Sequence, residues 1–251
     1  MAEWLVALAK LLAVILLALA GMVLVRRNVT LSTLESHNEV AGFVYAVVGV
    51  IYAVLMAFIV YAVFQQHQVA EGRVEREAAL LGDLYRVSSN LQEPTRGEAL
   101  LILKSYARTM VEKEFPEMAR GKYHEETRMQ HNKLWELLYH YTPKNELDKL
   151  WFEKTLTTSL AFSNAKRDRM ASANQTLPPF LWFVLYVGGF ITITYSYFFG
   201  TKNIWAQGLI VIFLAGSVAL VLQLIEAYDH PFSGIIRVGP DSFLMFLSYF
   251  K

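Results

Sequence analysis

The sequence predicts an all-α integral membrane protein with four transmembrane helices and one large helical insertion between the second and third. Three observations carry this. Of 251 residues, 55% are hydrophobic and only 18% charged, with a mean hydropathy of +0.33, whereas soluble domains are about a quarter charged. Four stretches reach the roughly 20 mainly apolar residues that a helix needs to cross a bilayer. In the remaining polar sequence apolar residues recur at helical steps, and nothing alternates like a half-buried strand. The net charge of +1 gives no case for nucleic-acid binding. With no cysteines, disulfides, thiolate metal sites and cysteine nucleophiles are excluded.

The first span is Trp4–Val25, interrupted only by Lys10. Ala18-Leu-Ala20 resembles a leader-cleavage site, but Glu3 replaces the usual basic start and the apolar run is too long, so a retained membrane helix is expected. Lys10 is expected to snorkel to the interface. The second span, Val40–Phe64, follows Ser36-His-Asn-Glu39, which has capping-box spacing. The third runs from Pro179 to Phe199 and the fourth from Ile204 to Ile225. Residues 1–64 thus hold two spans, 65–178 the polar block, 179–225 two more spans and 226–251 a C-terminal segment.

Within the block, Pro94 and Thr95-Arg-Gly-Glu98 predict a helix start, and Thr142-Pro143 predicts another, with proline at the first helical position. Four spans put both termini and the block on one side. Arg73, Arg76, Lys166, Arg167, Arg169 and Arg237 outnumber Arg26, Arg27 and Lys202, so the block and termini are expected in the cytoplasm.

On the second span, Gly42, Ala46, Gly49, Ala53 and Ala57 cluster on one narrow face. Small residues at this spacing let helix backbones approach, and such a stripe serves more often as a packing seam than as a pore lining. Tyr45, Tyr52 and Met56 flank it on one side, and Phe43, Val47, Val50, Val54 and Phe58 on the other, facing either lipid or a constriction. Asn38 and Glu39 open this helix. The carboxylate reads either as a helix cap or as one member of a charged ring at a pore mouth. A four-helix bundle fills its own centre with side chains, so conduction requires several copies around a shared axis.

The six histidines are scattered. His124 and His131 share a helical face, but no pair has the i, i+4 spacing of a helical metal site, so solvated surface histidines are expected. No catalytic constellation, cofactor motif or metal cluster stands out. After the fourth span, Asp229-His-Pro231-Phe232-Ser-Gly234 reads as a turn in which the aspartate caps backbone amides and Phe232 packs beneath.

Together, HNEVAGFVYAVVGVIYAVLMAF, LPPFLWFVLYVGGF and DHPFSG resemble the bestrophin-like bacterial membrane proteins, over nearly the whole chain and in the same order. That family is more distantly similar to the bestrophins, pentameric channels with four spans per subunit and a large cytoplasmic helical portion. The resemblance implies a homo-oligomer, a pentamer on the bestrophin pattern, passing an inorganic ion through the bacterial inner membrane, with the cytoplasmic helices as a vestibule. It also implies an apolar neck at Val50, Val54 and Phe58, which match the four-residue steps of the bestrophin neck. The bestrophin Asp-Pro-Phe-Gly motif corresponds to Asp229, Pro231, Phe232 and Gly234. Two departures stand out. Asp241 stands alone where animal bestrophins carry an aspartate run that holds calcium. Ile59-Val-Tyr-Ala-Val-Phe64 replaces the polar residues that follow their neck, so ion selectivity does not carry over. The alternative reading is a non-conducting membrane adaptor that docks a partner through its polar helices.

Overall fold

The computed structural model describes residues 2–35 and 38–250. Ser36 and His37 of the expected capping box lie outside the described residues. The chain divides into two compact units, Met1–Gln65 with Thr176–Asp229 and Gln66–Gln175 with His230–Lys251. Among the described residues the secondary structure is entirely helical.

The first unit holds α1 (Ala2–Asn28), the short α2 (Leu31–Glu35), the beginning of α3 (Asn38–Ser88), α8 (Pro179–Tyr195) and α9 (Ile204–Asp229). Among the described residues four helices are long and apolar enough to cross a membrane, as the sequence predicts. One boundary differs. α3 does not stop at Phe64 but continues to Ser88, a single helix of 51 residues. The apolar pattern ends at Gln65, yet no proline or helix-breaking pair follows, so polarity changes while the helix propagates.

α1 packs along α9 through Ala18, Met22, Val211 and Ala215, with Tyr197 completing the cluster. Lys10 is half-exposed, and its ammonium donates to both oxygens of Glu226 on α9, at 2.6 and 2.8 Å. The inward stripe of α3 is Tyr52, Met56, Ile59 and Val63, packed with Leu185, Val218 and Ile225. The Tyr52 hydroxyl donates to the Leu185 carbonyl at 2.8 Å. Its ring fits because α8 carries Gly188 and Gly189; a Cβ there would sit 2.6 and 2.9 Å from Tyr52 atoms, respectively. Tyr45 stacks on Tyr195 and meets Phe199 edge-on.

The second unit holds the rest of α3, α4 (Thr95–Thr109), α5 (Phe115–Met118), α6 (Glu125–Tyr139), α7 (Glu146–Ala173) and α10 (Asp241–Tyr249). Leu81, Leu84, Leu103, Tyr106, Met110, Leu134, Leu138, Phe162 and Phe243 form its core. One π-helical turn, Met110–Glu114, joins α4 to α5. Pro116 has no N–H to donate and its ring would crowd the Glu112 carbonyl of a regular helix, which accounts for the widened turn just before it.

Two helix starts differ in their chemistry from the sequence expectation. α4 begins at Thr95, but its cap comes from outside: Glu93 accepts from the Gly97 amide at 3.1 Å and from Arg96 Nε at 2.8 Å. α7 begins at Glu146, three residues beyond Pro143. Asn145 accepts from the Asp148 amide, while Asp148 accepts from the Lys144 amide, both at 2.8 Å, and from the Tyr141 hydroxyl. This reciprocal arrangement satisfies more backbone donors than Thr142 alone would.

Candidate functional site

α3 presents two opposite faces within the first unit. At about 100° per residue, Tyr52, Met56, Ile59 and Val63 fall within one narrow sector, and all four are buried. Glu39, Phe43, Val50, Val54 and Tyr61 fall on the opposite side, and all are exposed. Phe43 is 80% exposed, Val50 63%, Val54 49% and Phe58 70%. The three residues expected at a neck therefore lie uncovered by their own chain, on successive turns of one helix.

The small-residue stripe occupies the sector between these faces. Ala46 and Ala53 are exposed, Gly42 and Gly49 half-exposed, and a Cβ on Gly49 would meet nothing within 4 Å. Within one chain the seam is made instead by the tyrosine flank, which enters the glycine pair of α8. Within this chain the close approach is between the Tyr52 ring and the Gly188–Gly189 backbone of the third span.

At the start of α3, Asn38 is committed to a two-point clamp. Its amide donates to the Gly200 carbonyl and its side-chain oxygen accepts from the Gly200 amide, each at 2.9 Å. A side chain at Gly200 would meet the Glu35 backbone nitrogen at 2.7 Å, so only glycine lets this loop approach the end of α2. Asn38 thus fixes the helix start, whereas Glu39 beside it remains exposed.

The post-span motif behaves as a capping device with a different target. Asp229 accepts from the Leu177 amide at 2.6 Å and from the Trp182 indole at 3.1 Å, tying the end of α9 to the segment before α8. In the second unit Phe232 is buried against Phe115. The Pro231 carbonyl accepts from Val238, and Gly234 adopts a positive φ of 79°.

The second unit encloses a charge network that sequence reasoning missed. Arg169, wholly buried, donates through Nε to Glu77 at 2.6 Å and lies 3.5 Å from Glu114. The Tyr106 hydroxyl donates to the other Glu77 oxygen at 2.6 Å. Glu114 also accepts from the His124 amide at 2.8 Å and the Thr127 hydroxyl at 3.0 Å. Burial works against the charge on Arg169, but Glu77 more than offsets it and holds the guanidinium protonated. Tyr106 is pushed well above its ordinary range, by burial first and by the Glu77 charge second.

Lys166 is also buried: its ammonium donates to the Thr127 carbonyl at 3.1 Å and lies 5.5 Å from the centre of the Tyr106 ring. Burial lowers it to about 8. His131 is half-buried and bonds the Ser163 hydroxyl at 2.8 Å. Burial lowers it to about 4, and the nearby Lys166 charge adds to the effect. The expectation of a solvated His131 is therefore corrected. Lys166 and Arg169 are interior groups of a helical unit, so neither carries information on membrane orientation. Their spacing on α7, one turn apart beside apolar Phe162 and Ala165, was the available signal.

Among the described residues no group of three or more metal-binding side chains converges. What the chain does offer is a long apolar helix with one bare face in the first unit and a rigid ionic core in the second.

A structural likeness and a family model agree with this layout. The fold is similar to the crystal structure of a bacterial bestrophin homologue from Klebsiella pneumoniae, in a form carrying one tyrosine-to-alanine mutation. The TM-score is 0.67 with 97% of each chain covered, at 10% sequence identity. No curated protein matches the sequence. The model of the bestrophin-like domain matches residues 12–243. The chain belongs to the bestrophin-like family.

Proposed function

We propose that this chain is one subunit of a homo-oligomeric ion channel, a pentamer, in the bacterial inner membrane, with its α3 helices around a shared axis. The observation that carries the reading is the bare face of α3: Phe43, Val50, Val54, Phe58 and Tyr61 are exposed while the opposite stripe is fully packed. The open stripe of Gly42, Ala46, Gly49 and Ala53 lies beside that face, where a neighbouring α3 backbone could approach closely. Val50, Val54 and Phe58 then form three apolar rings on successive turns, a neck that gates by dewetting. Family membership and the fold support the same reading.

Purified protein reconstituted in a planar bilayer is expected to pass current, and Val54→Ala or Phe58→Ala to raise it by widening the neck. Silence of the intact oligomer across several ions and voltages would contradict the proposal. Native mass measurement of detergent-solubilised protein separates it from a membrane adaptor, which predicts a monomer or dimer.

A further inference from the structure

We infer that the second unit carries a binding site for a small carboxylate with a flat apolar body, held between α6 and α7 by Lys166, Arg167 and Trp135. It does not depend on the pore reading. An open cavity of about 370 Å³ is lined by His131 and Trp135 of α6 and by Ser163, Lys166, Arg167 and Met170 of α7. Its aromatic wall is fixed from behind. The Ser163 hydroxyl donates to the Ser159 carbonyl at 2.7 Å, so its oxygen accepts from the Trp135 indole at 3.2 Å and from His131 Nε2 at 2.8 Å. With its proton committed to the backbone, the serine is not a nucleophile activated by His131. The bonds instead hold both rings as a preformed surface against which a flat group can pack.

The second feature is charge. Lys166 is 7% exposed and, among the described residues, its ammonium makes one hydrogen bond, to the Thr127 carbonyl, although it carries three N–H groups. Arg167 is exposed and donates to Asn164 of its own helix. Both cations act on the His131 ring and disfavour its protonation, and no described carboxylate lines the cavity. The acids that attract Lys166 lie behind it: Glu77 on α3 and Glu114 on the π-helical turn, both already engaged by Arg169. Arg169 and Arg128 repel the ammonium, and the Tyr106 ring on α4 offers it a π-face and no charge. Burial therefore leaves Lys166 short of counter-charge, which is why its proton is held loosely. An anion on the cavity side supplies what is missing, and the indole beside it favours one with a flat apolar body.

The test is calorimetric titration of detergent-solubilised, full-length protein with phenylacetate at about pH 8, where Lys166 is only partly protonated. Phenylacetamide serves as the uncharged comparator and acetate as the one without a ring. Phenylacetate should bind about tenfold more tightly than phenylacetamide, and Arg167→Gln should weaken it by about tenfold. Acetate should bind more weakly than phenylacetate. Because a bound anion holds Lys166 protonated, binding should draw protons from the buffer, seen as a heat that varies with the buffer's ionisation enthalpy. His131, titrating near 4, contributes nothing at that pH. Arg167→Gln, an exposed position that leaves the fold intact, should keep this proton uptake, and Lys166→Met should abolish it. Should Lys166→Met fail to fold, the wild-type proton uptake carries the lysine's part of the test. Absence of phenylacetate binding, equal affinity for phenylacetamide, an unchanged affinity in Arg167→Gln, or binding without proton uptake overturns the assignment.

Discussion

The two units place charge and hydrocarbon in opposite positions. The first unit exposes Phe43, Val50, Phe58, Phe190, Phe213 and many leucines, and its buried groups are mostly apolar too, among them Met56, Ile59, Leu185 and Ile225. The second buries Glu77, Glu114, Lys166 and Arg169 at its centre and keeps most of its remaining charges outside. The difference follows from the solvent. Against lipid, apolar side chains gain nothing from being hidden from water, so helix contacts depend on fit, as where Tyr52 enters the Gly188–Gly189 surface. Against water, apolar burial is the driving force, and a charge taken inside must be neutralised and hydrogen-bonded at once.

The comparison can be broken most forcefully at the ionic core. Arg169→Met leaves Glu77 buried without its counter-charge and should destabilise the protein by about 3–5 kcal/mol, seen as a large drop in melting temperature. Adding Glu77→Gln should recover much of that loss. If Arg169→Met is neutral, the network is not what holds this unit together.

In the membrane unit the corresponding weak point is steric. Gly188→Val should cost about 1–3 kcal/mol by displacing the Tyr52 ring, and combining it with Tyr52→Ala should offset part of the cost. Thermal melting of the single and double variants checks whether the two positions are coupled.

A smaller effect concerns pH. His131 titrates near 4 in the fold against 6.5 in the unfolded chain. Between those values the unfolded state binds more protons, so stability is present above about pH 6.5 and is lost as the pH falls toward 4. Lys166, lowered to about 8 from 10.5, has the same sign in its own window, with stability rising between about pH 8 and 10.5. Melting temperature should therefore fall between pH 7 and pH 4.5, and His131→Gln should flatten that dependence. An unchanged slope in the variant would place the acid sensitivity elsewhere.

The smallest effects lie at the helix caps. Asn145→Ala should cost about 1 kcal/mol. Thr95→Ala should change stability by less than about 0.5 kcal/mol, because Glu93 makes the cap there. Denaturant melts of the two variants rank them directly.

These contrasts also explain what the sequence disclosed. The four spans were legible because a bilayer demands length and apolarity, which composition reports. The end of α3 was not, since leaving the apolar region changes the side chains and not the backbone preference. The small stripe of Gly42, Ala46, Gly49 and Ala53 was visible as a pattern, but the partner that fills a groove is not encoded in the groove. Within the chain, Tyr52 and Gly188 prevailed because each fits the other, although they lie far apart in sequence. Asp229 was legible as a cap, but its target, Leu177, was not. The ionic core escaped because Glu77, Glu114 and Arg169 are widely separated, and only the fold brings them into contact.

The central claim is that the bare face of α3 lines a water-filled path. The most direct measurement places a single cysteine at Val54 in this cysteine-free chain and applies a membrane-impermeant, trimethylammonium-bearing thiol reagent while recording current. Irreversible loss of current is expected for Val54→Cys and none for Leu209→Cys, which lies on an exposed stretch of α9. A Val54→Cys channel whose steady current the reagent leaves unchanged would contradict the claim.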